Sequence, residues 1–263
     1  MTEQDLIEFR RWFSGYGKSF PMREMKDRKN IEVKEQHTSN VCKDILLVGR
    51  GSGLSKEELL IAETVALFHD IGRFPQYAQY KTFRDSLSVN HGELGVEILL
   101  ESGILKRLSV HEQEIITQAV KFHNAFKIPK VIGHDAALFL KLIRDADKLD
   151  IWRVFIEHYA TPGEDQASAV GFNAPDIAEC SKEVLECFQK GQTVSLAQVK
   201  TLNDVKLLQL TWIFDINFPA TLKIIRERDY IKRFSLYLPD TGEIREALDH
   251  LKEYIGRRLR EGQ

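Results

Sequence analysis

Six residues of this chain combine side chains that bind metal ions with positions on helix faces that should be buried. The set is one histidine, an adjacent His-Asp pair, two further histidines and a distal aspartate: His37, His69, Asp70, His91, His123 and Asp147. His69 continues the apolar stripe of Ala62, Val65 and Ala66 at helical spacing, so its imidazole faces a predicted core. A buried carboxylate beside a buried imidazole is costly unless a cation or a proton partner lies there. The chemistry of the set therefore indicates a site that binds cations.

Each of these residues has a simpler interpretation when it is taken alone. A lone histidine on an apolar face is more often a hydrogen-bonded core residue than a ligand, and a His-Asp dipeptide is common by chance. Three predicted helices that each present one inward imidazole, with a fourth that presents Asp147, favour a metal site instead. Four imidazoles and two carboxylates are too rich in nitrogen for calcium or magnesium, and they suit manganese, iron, cobalt, nickel or zinc.

The elements that carry these residues are predicted to be helices. They cover residues 31–48, 55–68, 109–126 and 135–149, together with an apolar helix that begins near His91. Ser55 with Glu58, and Ser109 with Glu112, are capping boxes that mark two helix starts. Residues 74–85 lack a helical period and follow the His-Asp pair closely. We therefore expect an aromatic, polar loop there that forms a wall of the pocket.

The rest of the chain is predicted to be helical scaffold. A short amphipathic helix over residues 2–14 ends before Gly15, and residues 18–34 form a solvated connection. Four amphipathic helices are expected near residues 176–190, 203–214, 217–237 and 242–260, and only the brief run 234–238 indicates a strand. The predicted fold class is therefore all-α, a helical bundle with a C-terminal helical extension.

Length and composition exclude several other classes of protein. The chain has 263 residues, of which 43% are hydrophobic and 29% charged, and its formal net charge is −2. These values are typical of a globular protein without a basic surface for a nucleic-acid polymer. No stretch reaches 18 apolar residues and the first residues are acidic, so we expect a cytoplasmic location and no membrane partner. Three cysteines without CxxC spacing indicate neither a disulfide framework nor a cysteine zinc site.

The order of these residues resembles the HD-domain superfamily of metal-dependent phosphohydrolases. The resemblance covers roughly residues 31–155 and lies in a lone histidine, the His-Asp pair and a distal aspartate in the segment Arg144-Asp145-Ala146-Asp147-Lys148-Leu149-Asp150. It implies a helical bundle around a metal ion held by His37, His69, Asp70 and Asp147. His91 and His123 resemble the two extra histidines of the dinuclear subset, in which the aspartate of the pair bridges two ions. The implied organisation is an N-terminal helix and connection (1–30), the metal-binding core (31–160) and a C-terminal helical region packed on that core (161–263).

The resemblance and the ligand set together predict an enzyme. We expect two divalent transition-metal ions per chain and a metal-bound, bridging hydroxide that attacks a nucleotide or another small phosphate ester. Asp70 is expected to be catalytic as the bridging carboxylate, and Arg73 to be catalytic and to bind the substrate's anionic group. Lys148 is a second substrate-binding candidate. Simpler roles for these cations are a helix cap for Arg73 and an ion pair with Asp145 or Asp150 for Lys148.

Two other functions are compatible with parts of the same pattern. A minority of HD-like proteins use this ligand set to hold two irons that activate O₂, so a di-iron oxygenase acting on a small polar metabolite is the main alternative. A non-catalytic nucleotide-binding module is the third, and the intact ligand series argues against it. The expected partner is a small phosphorylated substrate, and a homo-oligomer is left open.

Overall fold

The computed structural model describes residues 1–20, 24–161 and 174–261 and is built from α-helices. In chain order these are α1 Glu3–Lys18, α2 Met25–Gly51, α3 Lys56–Phe68, α4 Arg73–Tyr80, α5 His91–Ser102, α6 Val110–Phe122, α7 His134–Ala160, α8 Lys182–Gln189, α9 Leu202–Thr211, α10 Pro219–Glu227, α11 Tyr230–Ser235 and α12 Gly242–Glu261. Short 3-10 segments lie at Asp85–Leu87, Ile104–Arg107, Leu196–Gln198 and Trp212–Asp215. No strand occurs within the described ranges, and the predicted all-α class is confirmed.

The described chain forms two compact units, and the boundary between them in the sequence falls within α7. The first covers Met1–Asp150 and contains all six candidate site residues, and the second begins at Ile151. The boundaries expected at residues 30 and 160 stay predictions. Among the described residues, no helix has the length and apolar character needed to cross a membrane.

Helix α3 lies inside the first unit, where it packs against α1, α2 and α6. Its last seven residues, Ala62–Phe68, are all buried, as the apolar sequence predicts. Ser55 and Glu58 form the predicted capping box at its start, and Ser109 forms the equivalent box for α6. Each large apolar side chain buried in this way stabilises the fold by about 1.5–3 kcal/mol. The helix that ends at the His-Asp pair is therefore held in place by the core.

The turn after α3 approaches the start of α5 very closely. A Cβ atom on Gly72 would lie 2.2 Å from the backbone oxygen of His91 and 2.9 Å from the backbone nitrogen of Gly95. Only glycine allows this approach. The contact fixes the position of the His91 backbone relative to the His-Asp pair.

The second unit has its own core, in which α8 and α9 pack together and α12 packs against α8, α10 and α11. Trp152, almost completely buried, donates from its indole to the backbone oxygen of Gln209 at 2.9 Å. Asp204 accepts hydrogen bonds from the backbone and hydroxyl of Ser181 at 2.7 and 2.6 Å. These contacts make the C-terminal helices a folded body of their own.

The predicted helix end before Gly15 is wrong, and so is the predicted solvated connection over residues 25–34, which form the start of α2. Residues 21–23 of that connection lie outside the described residues. Helix α1 continues to Lys18, because Tyr16 and Gly17 pack against Phe74 and an alanine-sized group on Gly17 would already touch that ring at 3.2 Å. Helix α2 begins at Met25 instead of residue 31. Its first turns are ordered by Asn30, which is fully buried and donates to the Tyr77 hydroxyl at 2.7 Å.

The loop expected over residues 74–85 is largely helical. Helix α4 covers Arg73–Tyr80, and Phe74 and Tyr77, three residues apart, are both buried against Ile31 and Ile71. Pro75 is compatible with this helix because it occupies the first turn, where a backbone N–H has no helical partner. Phe74 and Tyr77 follow the helical period, but the helix has only eight residues, fewer than the window of about 11–18 in which that period is read.

Several predicted boundaries elsewhere are also wrong. The helix expected over 135–149 continues to Ala160, and the one expected to reach residue 126 ends at Phe122. The helix expected over 217–237 is two helices, α10 and α11, separated where Asp229 takes a left-handed conformation with φ 53°. The strand indicated at 234–238 is absent, because its first residues close α11.

We expect Gly72→Ala to destabilise the fold by about 1–3 kcal/mol, the usual cost of overpacking, because its Cβ would overlap the His91 backbone. Gly15→Ala is the matched control. Its Cβ meets nothing within 4 Å, and alanine favours a helix interior by roughly 0.5–1 kcal/mol. Urea unfolding followed by circular dichroism measures both changes. Equal stability of the two variants would contradict the close approach.

Candidate metal centre

Two of the histidines lie at helix ends and are oriented by their own helices. His69 follows α3 and His123 follows α6, and each ring places Nδ1 2.7 Å from the carbonyl oxygen three residues earlier, Ala66 and Val120 respectively. A carbonyl oxygen only accepts hydrogen bonds, so Nδ1 carries the proton in both rings. The Nε2 atoms of both residues therefore present lone pairs, the form in which imidazole binds metals.

The other two histidines are oriented by carboxylates. His37 Nδ1 lies 2.8 Å from Asp150 Oδ2, and His91 Nδ1 lies 2.9 and 2.7 Å from the two oxygens of Asp85. Each ring donates through Nδ1, so Nε2 is again the atom that faces the cluster. Helix carbonyls for two histidines and carboxylates for the other two thus direct all four Nε2 atoms into the cluster.

Asp70 lies between these two pairs of histidines. Its Oδ2 is 3.7 Å from His37 Nε2 and 3.6 Å from His69 Nε2. Its Oδ1 is 3.3 Å from His91 Nε2 and 3.8 Å from His123 Nε2. One carboxylate therefore has one oxygen directed to each pair.

Asp147, from α7, completes the cluster on the side of His37. Its Oδ1 lies 3.0 Å from His37 Nε2 and 3.8 Å from His69 Nε2. The structure thus brings all six predicted residues together, in three overlapping groups whose ligand atoms lie within 4.8 Å of one another. Their roles as ligands stay a prediction.

The electrostatics keep the donor atoms in the form that binds cations. Burial is the main cause that lowers the pKa of His91 and His123 to about 4. Burial would raise the pKa of Asp70, but the charges of Lys34 and Arg73 hold it well below the usual range. Near neutral pH these two imidazoles are uncharged and this carboxylate is ionised.

His37 is the exception among the four histidines. Burial and the charge of Lys34 act to lower its pKa, but hydrogen bonds with Asp147 and Asp150 outweigh them and raise it to about 9. Protonated His37 thus holds Asp147 in the cluster through Nε2. Since a ligand histidine must be neutral, cation binding here would release that proton.

The pair His91 and His123 fits a bound cation for a specific reason. Their Nε2 atoms are 2.9 Å apart, and both rings carry their proton on Nδ1. Two neutral imidazoles in this arrangement direct lone pairs at each other, which is unfavourable without a cation to accept them. Nitrogen and carboxylate donors at these positions suit a divalent transition metal.

Arg73 lies beside the cluster and is held by the segment that follows it. Its Nη1 donates to Gln76 Oε1 at 2.7 Å, to the backbone oxygen of Phe83 at 2.6 Å and to Asp85 Oδ1 at 2.8 Å. Its Nε is 3.4 Å from Asp70 Oδ1 and is buried with no hydrogen-bond partner among the described residues. Since Arg73 begins α4, the simpler role as a cap on the end of the preceding helix is wrong.

Lys148 is buried on α7, next to Asp147. One of its hydrogen bonds goes to the backbone oxygen of Arg144 at 3.4 Å. Lys148 is therefore adjacent to the cluster in the sequence, and one hydrogen bond of its ammonium goes to a carbonyl of its own helix.

Sequence reasoning misses or undervalues three residues at the site. It offers Asp150 only as a partner of Lys148, although a spacing of three from Asp147 places both aspartates on one face of α7. Lys34 has the same spacing from His37, and its Nζ lies 2.8 Å from Asp70 Oδ2. Gln76 falls in the predicted loop, yet it is fully buried and donates to Asp85 at 2.9 Å.

One known protein family matches the part of the chain that contains the cluster. Residues 35–152 match the family model of the HD domain, and this range includes all six clustered residues. No curated protein and no solved structure matches the chain. This part of the chain is therefore similar to the HD domain, and its clustered histidines and aspartates could bind metal ions.

We expect His69→Ala and Asp70→Ala each to abolish tight metal binding, because both residues are buried and contact the other ligands. His111→Ala is the control, since His111 is two-thirds exposed and pairs with Asp135 on the surface. Elemental analysis of the purified variants measures the metal content per chain. Wild-type metal content in the two site variants would refute the assignment.

Proposed function

We propose that this protein is a metal-dependent phosphohydrolase that acts on a nucleotide or another small phosphate ester. The observation that carries the proposal is the position of the Asp70 carboxylate between two pairs of histidines. Its Oδ2 faces His37 and His69, and its Oδ1 faces His91 and His123. A carboxylate in this position suits two cations on opposite sides. The HD domain supports the same class of reaction.

The proposed ligands divide into two groups that share Asp70. His37, His69 and Asp147 would hold one divalent transition-metal ion, and His91 and His123 the other. When bound, such ions supply activation of a water molecule and neutralise charge on phosphoryl oxygens. Asp70 and Arg73 are the residues that we propose as catalytic.

The charges around the cluster support an anionic substrate. Arg73 is 13% exposed at its side chain and is fixed by Asp85, so its guanidinium is already oriented before substrate binds. Its Nε has no hydrogen-bond partner among the described residues and is the donor that we propose for a phosphoryl oxygen, a group that a planar guanidinium suits. Lys148 is proposed as a further cation for the phosphate. No observation in the described part of the chain favours oxygen activation over this chemistry.

Asp85 links the two parts of the proposed site. It accepts hydrogen bonds from His91 Nδ1 and from Arg73 Nη1, and Asn124 Nδ2 donates to it at 2.9 Å. Burial would raise the pKa of this carboxyl, but the hydrogen bond from His91 and the charge of Arg73 hold it well below its usual range. One ionised carboxylate therefore orients a proposed metal ligand and the proposed substrate-binding arginine together.

We expect Arg73→Ala to lower kcat/KM for a phosphate ester by about 10²-fold, since a hydrogen bond to a charged group contributes roughly 1.5–3 kcal/mol. Arg73→Lys should recover only part, because an ammonium lacks the planar pair of donors. Assays with aryl phosphate mono- and diesters and manganese-loaded protein measure this. Arg11→Ala, at an exposed position of α1, is the control and should leave the rate unchanged.

The same assay separates hydrolysis from oxygen chemistry. Hydrolysis should proceed equally with and without O₂ and should release phosphate or a phosphomonoester. Turnover that requires O₂ and releases no phosphate would refute the proposed function.

A further inference from the structure

Lys34 is a second cation at Asp70, and it contacts the other carboxylate oxygen from Arg73. It lies on α2 one helical turn before His37, and its Nζ donates to Asp70 Oδ2 at 2.8 Å. Its side chain is 18% exposed, and its ammonium lies 5.3 Å from the centre of the Phe83 ring. Lys34 thus reaches the centre of the cluster and still touches solvent. It precedes the residues matched to the HD domain, 35–152, so that match assigns it no role.

The two cations differ in what else holds them. Arg73 has a carboxylate of its own, since it pairs with Asp85 at 2.8 Å. Among the described residues, Asp70 is the carboxylate that pairs with Lys34. A mostly covered ammonium is costly without an anion beside it. Metal cations bound at Asp70 would neutralise the carboxylate charge that now balances the Lys34 ammonium. Lys34 would then lack a counter-ion.

We propose that Lys34 binds a phosphoryl oxygen of the substrate when cations occupy Asp70. The proposal rests on the proposed function, and it adds a substrate-binding residue to Arg73. The phosphoryl group would then replace Asp70 as the anion beside the ammonium, while the face of Phe83 keeps its cation–π contact. The substrate would lie between Lys34 on α2 and Arg73 on α4.

The same geometry predicts an effect on metal binding itself. In the structure the Lys34 ammonium donates to Asp70 Oδ2, the same oxygen that lies 3.7 Å from His37 Nε2 and 3.6 Å from His69 Nε2. It therefore competes with a cation for that oxygen and repels it. Removing the charge should strengthen metal binding in a buffer without phosphate, whereas a lysine that merely supports Asp70 would weaken it when removed.

The test compares Lys34→Met and Lys34→Arg with Lys43→Met, an exposed lysine on the same helix. Isothermal titration first measures the affinity of each protein for manganese without phosphate. Inorganic phosphate is then titrated into the manganese-loaded proteins. We expect Lys34→Met to bind manganese more tightly and phosphate at least about tenfold more weakly than wild type, because a charged hydrogen bond is lost. Lys34→Arg should keep most of the phosphate affinity, and Lys43→Met should match wild type.

Equal phosphate affinity of Lys34→Met and wild type, at equal metal content, would overturn the role of Lys34 and leave the proposed function standing. Loss of manganese from Lys34→Met would also overturn it, by showing that Lys34 only supports Asp70. Failure of manganese-loaded wild-type protein to bind phosphate would overturn both proposals.

Discussion

The carboxylate of Asp70 is the group on which the whole site depends. It is buried, and its two oxygens face four imidazoles and two cationic side chains, Lys34 and Arg73. A buried carboxylate remains ionised in such a place only because positive charge surrounds it. The ionised carboxylate and the Nε2 lone pairs are therefore arranged to bind groups of high positive charge. The helices of the first unit hold these groups in place.

The fold positions the imidazoles by short, rigid connections. Helix α3 is buried along its last seven residues, so His69 and Asp70 leave it at a fixed place. Gly72 then brings the turn against the backbone of His91. Helix ends supply carbonyl oxygens for His69 and His123, since the last carbonyls of a helix have no partner within it. The tautomers of His69 and His123 thus follow from ordinary features of helix ends.

The sequence predicted which residues form the cluster better than it predicted the helices and contacts around them. Helical periodicity identified the inward histidines, because several helices each place one histidine on an apolar stripe, a repetition that core packing alone does not require. It could not show that Asp150 meets His37, because that contact joins helices more than a hundred residues apart. Helix α4 was missed because its eight residues are too few to establish the period that Phe74 and Tyr77 follow. Contacts between helices decide these features, and local patterns do not record them.

The central claim is that Asp70 bridges two ions, and anomalous X-ray scattering from crystals of the manganese-loaded protein tests it most directly. We predict two anomalous peaks within bonding distance of Asp70, one at each oxygen. One should also contact His37, His69 and Asp147, and the other His91 and His123. A single peak away from His91 and His123, or no peak beside Asp70, would contradict the account.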